Sequence, residues 1–557
     1  MDSLCPRFSL IKKPVLFTAL VPLVFLLVFY FYPLGGIFIR SFMDHGDFSL
    51  TRLLKVFNSP RMAGIVTFTF WQASLSTLMT LCAALPCAWV MGSFDFRGKK
   101  LIMTLATLPF VLPTIVVASA FQALLGKGGI MAAMFPFYDG GLEGSLGAIL
   151  LAHVFYNFSI VLRVTSGFLS SMGKDISQAG SMLGASPLQV FIKVVLPVLM
   201  PAITGASLLV FIFCFSSFGV VMILGGPAFS TIEVEIYRQA AHLFNLPVAA
   251  MLCLLQVLFN FLMMWLYASL QVKAAQFLPK AEGAGLKKPV SILQKLMVGL
   301  CTLFIIIFCT LPIAGLFLES LWHNGGPSLI YYRELFFNTS GSIFYISPVD
   351  AVFNSLLFAL AALCMSLVTG GCAAYFIRYS NGRIGDFFDS LFMLPLSTSA
   401  VTLGFGIIIT LDKPPLNLRT SLFLIPILHT LVAFPFVVRV LLPALRAIPS
   451  SLKDAAVIMG ASPFRVWMHV ELPIIARALS VGAIFAFTIS LGEFGATLFA
   501  ARPEFATLPV TIYKFLGQPG TMNRGQAMAL SSILMLVTAA AFILMETVRE
   551  KAGHNGF

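Results

Sequence analysis

Long apolar runs separated by short polar connections make up most of this chain. Stretches of 18 or more nearly uncharged residues recur from Pro14 onward, each long enough to cross a hydrocarbon core of roughly 30 Å as a helix. The runs are solidly apolar rather than alternating, so they do not read as the strands of a membrane barrel. In lipid, a spanning segment outside a barrel has to be a helix. The pattern predicts spans near 14–40, 64–92, 101–125, 145–170, 195–224 and 247–272, then near 291–318, 350–376, 386–411, 420–446, 473–500 and 525–548. The expected fold is an all-α polytopic membrane protein of two tandem six-helix modules, 1–272 and 291–557. Lys280, Gly283, Gly285, Lys287 and Lys288 mark the stretch 273–290 between them as a polar linker.

The two modules are copies. His153 to Tyr237 and His429 to Tyr513 match without a gap, at an offset of 276 residues. The closest match is a polar, Gly/Pro-punctuated connection, at about 174–197 in one copy and 450–473 in the other. Lipid solubility alone places no such demand on a loop, so its repetition argues that it touches a partner. In each copy it reads as two short helices with a break. Asp175 and Gln178, and Ser451 and Asp454, stand at capping-box spacing. Gly184 and Gly460 end the first helix, and Ser186-Pro187 and Ser462-Pro463 begin the second, with serine as N-cap and proline at the first helical position. Leu196-Pro197 and Leu472-Pro473 mark the start of the fifth span. The product is a hinged knuckle suited to a groove on another protein.

Charge adds orientation. Of 557 residues 59% are apolar and 10% charged, against the quarter typical of soluble chains. The net charge of +13 lies mostly in alternate connections (Arg97, Lys99, Lys100; Lys174, Lys193; the linker lysines; Arg378, Arg383; Arg446, Lys453, Arg465; Arg549, Lys551). That is a topology signal rather than a nucleic-acid footprint. It places both termini, the linker and both knuckles in the cytoplasm. The nine cysteines are scattered with no metal or disulfide spacing, and neither a metal nor a cofactor is expected. The N-terminal run has no small-residue cleavage site and reads as an uncleaved first span.

At the knuckles the chain resembles the permease subunits of type I ATP-binding-cassette importers. Their signature is an acidic-Ala-Ala, three residues, Gly, then nine residues before a short Val/Ile-x-Leu-Pro. Asp454-Ala455-Ala456, Gly460-Ala461-Ser462-Pro463 and Val470-Glu471-Leu472-Pro473 fit it. Gln178-Ala179-Gly180 departs, with Gln for the acid and Gly for the second Ala, before Gly184-Ala185-Ser186-Pro187 resumes the pattern. The resemblance implies that these residues form coupling helices seated in clefts of a cytosolic ATPase dimer. It also implies a soluble binding protein at the outer face and residence in a bacterial inner membrane.

Fused two-half permeases of this kind are typical of ferric-iron and thiamine importers. Phe70-Trp71-Gln72-Ala73, Leu150 to Asn157, Cys214 to Phe218, Thr231 to Tyr237 and Ser490 to Gly495 resemble the thiamine branch most. The resemblance therefore implies thiamine or its phosphate esters as cargo, with ferric iron as the alternative. The chain contains no Gly-x-x-x-x-Gly-Lys-Ser/Thr phosphate loop, so ATP hydrolysis is expected on a separate chain.

An ion-gradient-driven secondary transporter is the rival of another class. It would show inverted repeats and midplane acids, whereas these copies, of six spans each, run parallel. Nothing resembles the selectivity filter of a channel.

Ionisable groups inside spans are functional candidates. Glu493, with Ser217 at its place in the first copy, is a candidate for the substrate path, with pairing to a buried basic group or helix end as the other reading. His153 and His429 recur and read as a shared packing or hydrogen-bonding role rather than substrate chemistry. Arg163 and Arg439 recur too and read as snorkelling cations. Trp71 is one of many aromatics able to stack on a cationic ring.

Overall fold

The computed structural model describes the chain apart from residues 1–12, 45–46, 49–57, 128, 135–139, 173–181, 183, 185, 277–285, 338–346, 381, 413, 415 and 554–557. Among the described residues, 11 helices are long and apolar enough to cross a membrane. Among these residues the only strands form two hairpins of two-residue strands, Met43–Asp44 with Asp47–Phe48 and Trp322–His323 with Gly326–Pro327.

The sequence repeat is a structural repeat. Leu146–Ser171 answers to Leu424–Arg446, Pro187–Val190 to Pro463–Val466, Leu196–Phe215 to Leu472–Gly492, Gly219–Leu224 to Gly495–Ala500 and Ile232–Tyr237 to Leu508–Leu516. Even a π-helical turn recurs, at Phe191–Val195 and Trp467–Glu471. Proline explains its position. Pro197 and Pro473 lack the amide that would continue the α-helical ladder, and a widened turn just before them carries the helix through. The second helix of each knuckle is therefore not a separate short element. Pro463 to Gly492 run as one apolar helix of 30 residues.

Two expected spans are broken. The stretch 101–125 divides into Lys99–Val111 and Thr114–Leu125 at Leu112-Pro113. Likewise 386–411 divides into Gly382–Phe392, a 3-10 turn Leu394–Ser397 and the short apolar helix Ala400–Thr410. In the first, Pro113 removes a donor and holds Leu112 extended at ψ 140°; in the second, Pro395 lacks a donor within the opening of the 3-10 turn. The fifth spans also break near their ends, at Ser216–Phe218 and at Glu493-Phe494. Ile232–Tyr237 and Leu508–Leu516, both within stretches that hydropathy leaves as loops, are helices.

The described chain forms two compact units whose membership crosses the sequence halves. One comprises 1–39, 350–507 and 540–557; the other comprises 40–349 and 508–539. In the first unit, Phe25 meets Phe434 edge-on with ring centroids 6.2 Å apart. Tyr30 pairs with Thr398 Oγ1 at 2.8 Å across the break in the third span. Phe358, Phe376, Phe392, Leu428 and Val437 complete that core. In the other unit, Phe158, which matches Phe434, takes Phe304 and Phe308 from Ile292–Ser320 at 6.1 and 5.5 Å. Each half's first long helix thus packs on the fourth span of the opposite copy.

Candidate functional site

Two places concentrate polar design: the knuckles and the helix breaks. The second knuckle is described throughout. Its first helix is Ser450–Ile458, with Pro449 at the N-cap position and no side-chain cap. This corrects the capping-box reading of Ser451 and Asp454, because Ser451 already lies within the first turn. Gly460 sits at φ +80°. Its amide donates to Val457 O at 2.9 Å and the Ala461 amide to Ala456 O at 3.0 Å, a Schellman closure that satisfies the last carbonyls. Ser462 Oγ then accepts from the Arg465 amide at 3.4 Å, with Pro463 following.

The first knuckle is described in part. Asp175, Gln178, Ala179 and Ala185 lie outside the described residues. Gly184 holds φ +80°, as Gly460 does. Ser186 forms a reciprocal capping box with Gln189, amide to Oε1 at 3.0 Å and Oγ from the Gln189 amide at 3.3 Å.

The knuckles carry bare apolar side chains. Ile458 is 85% exposed and Met459 82%, and the exposed Phe464 ring stacks on Trp467 at 6.0 Å. Met182, at the place in the first copy that Ile458 occupies in the second, is 89% exposed. Asp454 and Ala455 are exposed beside them, whereas Ala456 is buried. Clustered exposed hydrophobes rimmed by polar residues mark an interaction surface.

The two knuckles are anchored by different chemistry. In the second, the buried Glu471 carboxylate accepts from Tyr379 Oη at 2.6 Å and pairs with Lys453 Nζ at 3.0 Å. Lys453 also donates to Tyr379 Oη and lies 4.3 Å from the centroid of its ring. In the first, Val195 stands where Glu471 does, in an apolar cluster with Met172 and Val190. Trp89 packs against that cluster and meets Phe191 edge-on at 4.9 Å. The Lys453–Glu471–Tyr379 cluster has no motif, since its members come from three separate elements, and sequence reasoning missed it.

At the helix breaks the two histidines are buried hubs. His153 reaches Ser76 Oγ through Nδ1 at 3.0 Å and Ser217 Oγ through Nε2 at 2.8 Å. His429 reaches Ser490 Oγ through Nδ1 at 2.6 Å and Thr497 Oγ1 through Nε2 at 2.8 Å. The buried Glu493 carboxylate accepts the amides of Ala496 and Thr497, at 2.8 and 2.9 Å, and the Thr497 hydroxyl. It thereby caps the short helix Gly495–Ala500, with His429 Nε2 3.7 Å away. An anionic cap at a helix N-terminus is favourable for the dipole and for the orphan amides alike. Gly404 permits this packing, because a Cβ there would lie 2.7 Å from Ala496 Cα.

Arg163 and Arg439 do more than snorkel. Arg163 Nε donates to Thr107 Oγ1 at 2.6 Å, and Arg439 approaches Asp389 at 3.8 Å, each reaching the first segment of its third span. Trp71 is half exposed.

The chain's relatives match this layout. Residues 84–275 and 366–552 each match the family described as binding-protein-dependent transport system inner membrane component. The thiamine transport system permease protein ThiP of Haemophilus influenzae is 26% identical over 508 residues, covering 89% of this chain and 90% of that protein. The protein of that name from Escherichia coli is 25% identical over 514 residues, covering 88% and 89%. The ferric transport system permease protein FbpB of Actinobacillus pleuropneumoniae is 22% identical, covering 94% of this chain and 77% of that protein.

Proposed function

Because the chain belongs to the family of binding-protein-dependent transport system inner membrane components, two copies of which it carries in tandem, we propose that it moves thiamine or its phosphate esters into the cell. Cargo would arrive from a soluble binding protein, and a separate cytosolic ATPase, two copies per chain, would supply the energy. The observation that carries the coupling half of this reading is the repeated knuckle. Two left-handed glycines stand at matched places, each near a bare hydrophobe, Met182 in one copy and Ile458 in the other. Asp175, Gln178, Ala179, Gly184, Ala185, Ser186 and Pro187 form one dock; Asp454, Ala455, Ala456, Gly460, Ala461, Ser462 and Pro463 form the other. Charge placement puts both docks and both termini on the cytoplasmic side of the inner membrane, with 273–290 as linker between repeats 1–272 and 291–557. Closure of the ATPase would move each bundle as a rigid body and alternate access.

The cargo half rests on relatives of matching length that carry thiamine in their names; ferric iron is the second reading, for the permease FbpB spans the chain too. Uptake of radiolabelled thiamine at nanomolar concentration, in cells with and without the gene, tests it. Uptake is expected to vanish with the gene and return with an intact copy. Unchanged uptake would move the cargo to ferric iron.

Glu493 and Ser217 enter the proposal as the residues that hold the fifth-span breaks on the substrate path. Glu493→Gln leaves one accepting oxygen where the carboxyl group offers two to the Ala496 and Thr497 amides, and a buried donor so deprived costs about 1–3 kcal/mol. Loss of one such bond at the rate-limiting rearrangement slows transport roughly tenfold. Untouched turnover and affinity in the Gln variant would remove Glu493 from the path.

A further inference from the structure

Beyond the coupling surfaces, the helix break of the first copy gathers three buried side-chain amides around Cys214 to Ser216. Around the break at Cys214 to Ser216, Gln72 Nε2 donates to Thr69 O at 3.2 Å and Cys214 O at 2.9 Å. Asn157 Nδ2 donates to His153 O at 3.0 Å and Cys214 Sγ at 3.3 Å. Gln256 Nε2 donates to Glu233 Oε1 at 3.2 Å and Ser216 Oγ at 3.3 Å, and Ser216 Oγ donates to Asn260 Oδ1 at 3.2 Å. The Ile232 amide closes the ring on Thr69 Oγ1 at 3.1 Å.

In each of Gln72, Asn157 and Gln256 the amide nitrogen faces a carbonyl or carboxylate, so nitrogen and oxygen cannot be exchanged. Their oxygens, Gln72 Oε1, Asn157 Oδ1 and Gln256 Oε1, have no protein donor. All three side chains are at most 1% exposed. Buried acceptors without donors are costly, and each one calls for an explanation.

The second copy serves as an internal control. It builds the same elements with Ala433 for Asn157, Gly492 for Ser216, Pro509 for Glu233 and Thr511 for Glu235. The fold therefore does not require an amide at the place of Asn157, whereas the place of Gln256 is polar in both copies, with Ser532 in the second.

We propose that these acceptors at the first copy's helix break are a recognition site for an N–H-donating amine, the aminopyrimidine end of the cargo. The inference rests on the thiamine reading above and goes beyond it by naming the half of the permease that recognises the cargo. The exocyclic amine has two N–H bonds, which two of the three buried amide oxygens can accept at a time. Enclosed as these oxygens are, the site describes an occluded state, reached when the bundle rearranges.

The test compares thiamine with oxythiamine, in which a carbonyl oxygen replaces that amine. Vesicles holding the permease and its ATPase receive binding protein saturated with either compound. The same binding protein is used with every permease variant, so its own preference cancels in the ratio of the two rates. Asn157→Ala adopts the residue with which the second copy folds, and Gln256→Leu is a second, independent variant. Both are expected to transport thiamine more slowly and to lower the thiamine-to-oxythiamine ratio about tenfold, the effect of one lost buried hydrogen bond. A ratio equal to wild type in whichever variant still transports would overturn the inference and assign the oxygens to internal water. A wild-type permease that transports no thiamine would sink the cargo reading instead, a separate and distinguishable failure.

Discussion

Replacing Gly460 by valine is expected to cut transport by roughly tenfold or more, with normal membrane insertion and loss of cargo-stimulated ATP hydrolysis. Gly460 holds φ +80°, and nothing lies within 4 Å of where its Cβ would be. The obstacle is therefore the backbone, not space. An L-residue in this region loses about 1–2 kcal/mol, and a β-branched one suffers more. The strain falls on the turn that sets the angle between Ser450–Ile458 and the helix starting at Pro463. Each 1.4 kcal/mol lowers the docked population about tenfold. Asparagine tolerates the left-handed region best after glycine, so Gly460→Asn should retain most transport while Gly460→Val does not. Gly184 shares φ +80° with nothing within 4 Å, and the same order is expected there. Equal transport by the valine variants would remove the claim that the knuckles couple to an ATPase.

Lys453→Met is expected to destabilise the purified protein far more than the double variant Lys453→Met/Glu471→Leu. In the native chain the Glu471 side chain is 4% exposed and that of Lys453 16%. Removing the lysine leaves a buried carboxylate with the Tyr379 hydroxyl, while Glu471 Oε2 already has no partner. Breaking a buried pair by one side costs about 3–5 kcal/mol, and replacing both partners with apolar residues is often neutral. The partial exposure of Lys453 points to the lower end of that range. The first copy supports the neutral outcome, since it builds the same left-handed glycine and the same π-helical turn with Val195 in an apolar cluster. Thermal unfolding of both variants, with a coupling energy from the full cycle, checks this. A double variant as unstable as Lys453→Met would show that the ion pair is required beyond its own desolvation.

Much of this molecule was legible before any coordinates. Apolar runs located the long helices, because lipid allows few alternatives. The ungapped repeat located Gly184, Gly460, Ser186 and Ser462, whose conformational roles follow from residue type. The breaks at Pro113 and Pro395 were visible as prolines but were outvoted by the hydropathy around them. Ile232–Tyr237 and Leu508–Leu516 escaped because they are short and flanked by polar residues, although the repeat ran on through both. What hydropathy never encodes is pairing. Nothing in the run 14–40 announces that Phe25 meets Phe434, and nothing near Lys453 names Tyr379 or Glu471. The recurrence of His153 and His429 predicted a shared packing or hydrogen-bonding role without deciding between them, and their partners, Ser76 and Ser217 against Ser490 and Thr497, differ between copies.

The exchange of first helices between copies has a bearing on how the chain is made. Residues up to Ile39 belong with a unit whose next member begins at Asp350, and the other unit is completed only by Leu508 to Ala539. The packing partners of the helix that runs to Ile39 are thus synthesised only from Asp350 onward, and neither unit is complete before the stretch from Leu508 to Phe557 follows. A gene split at the linker would produce two fragments that each carry a helix belonging to the other, so they could mature only by trading them. Keeping both copies on one polypeptide makes that trade intramolecular and guarantees that the right partner is always at hand.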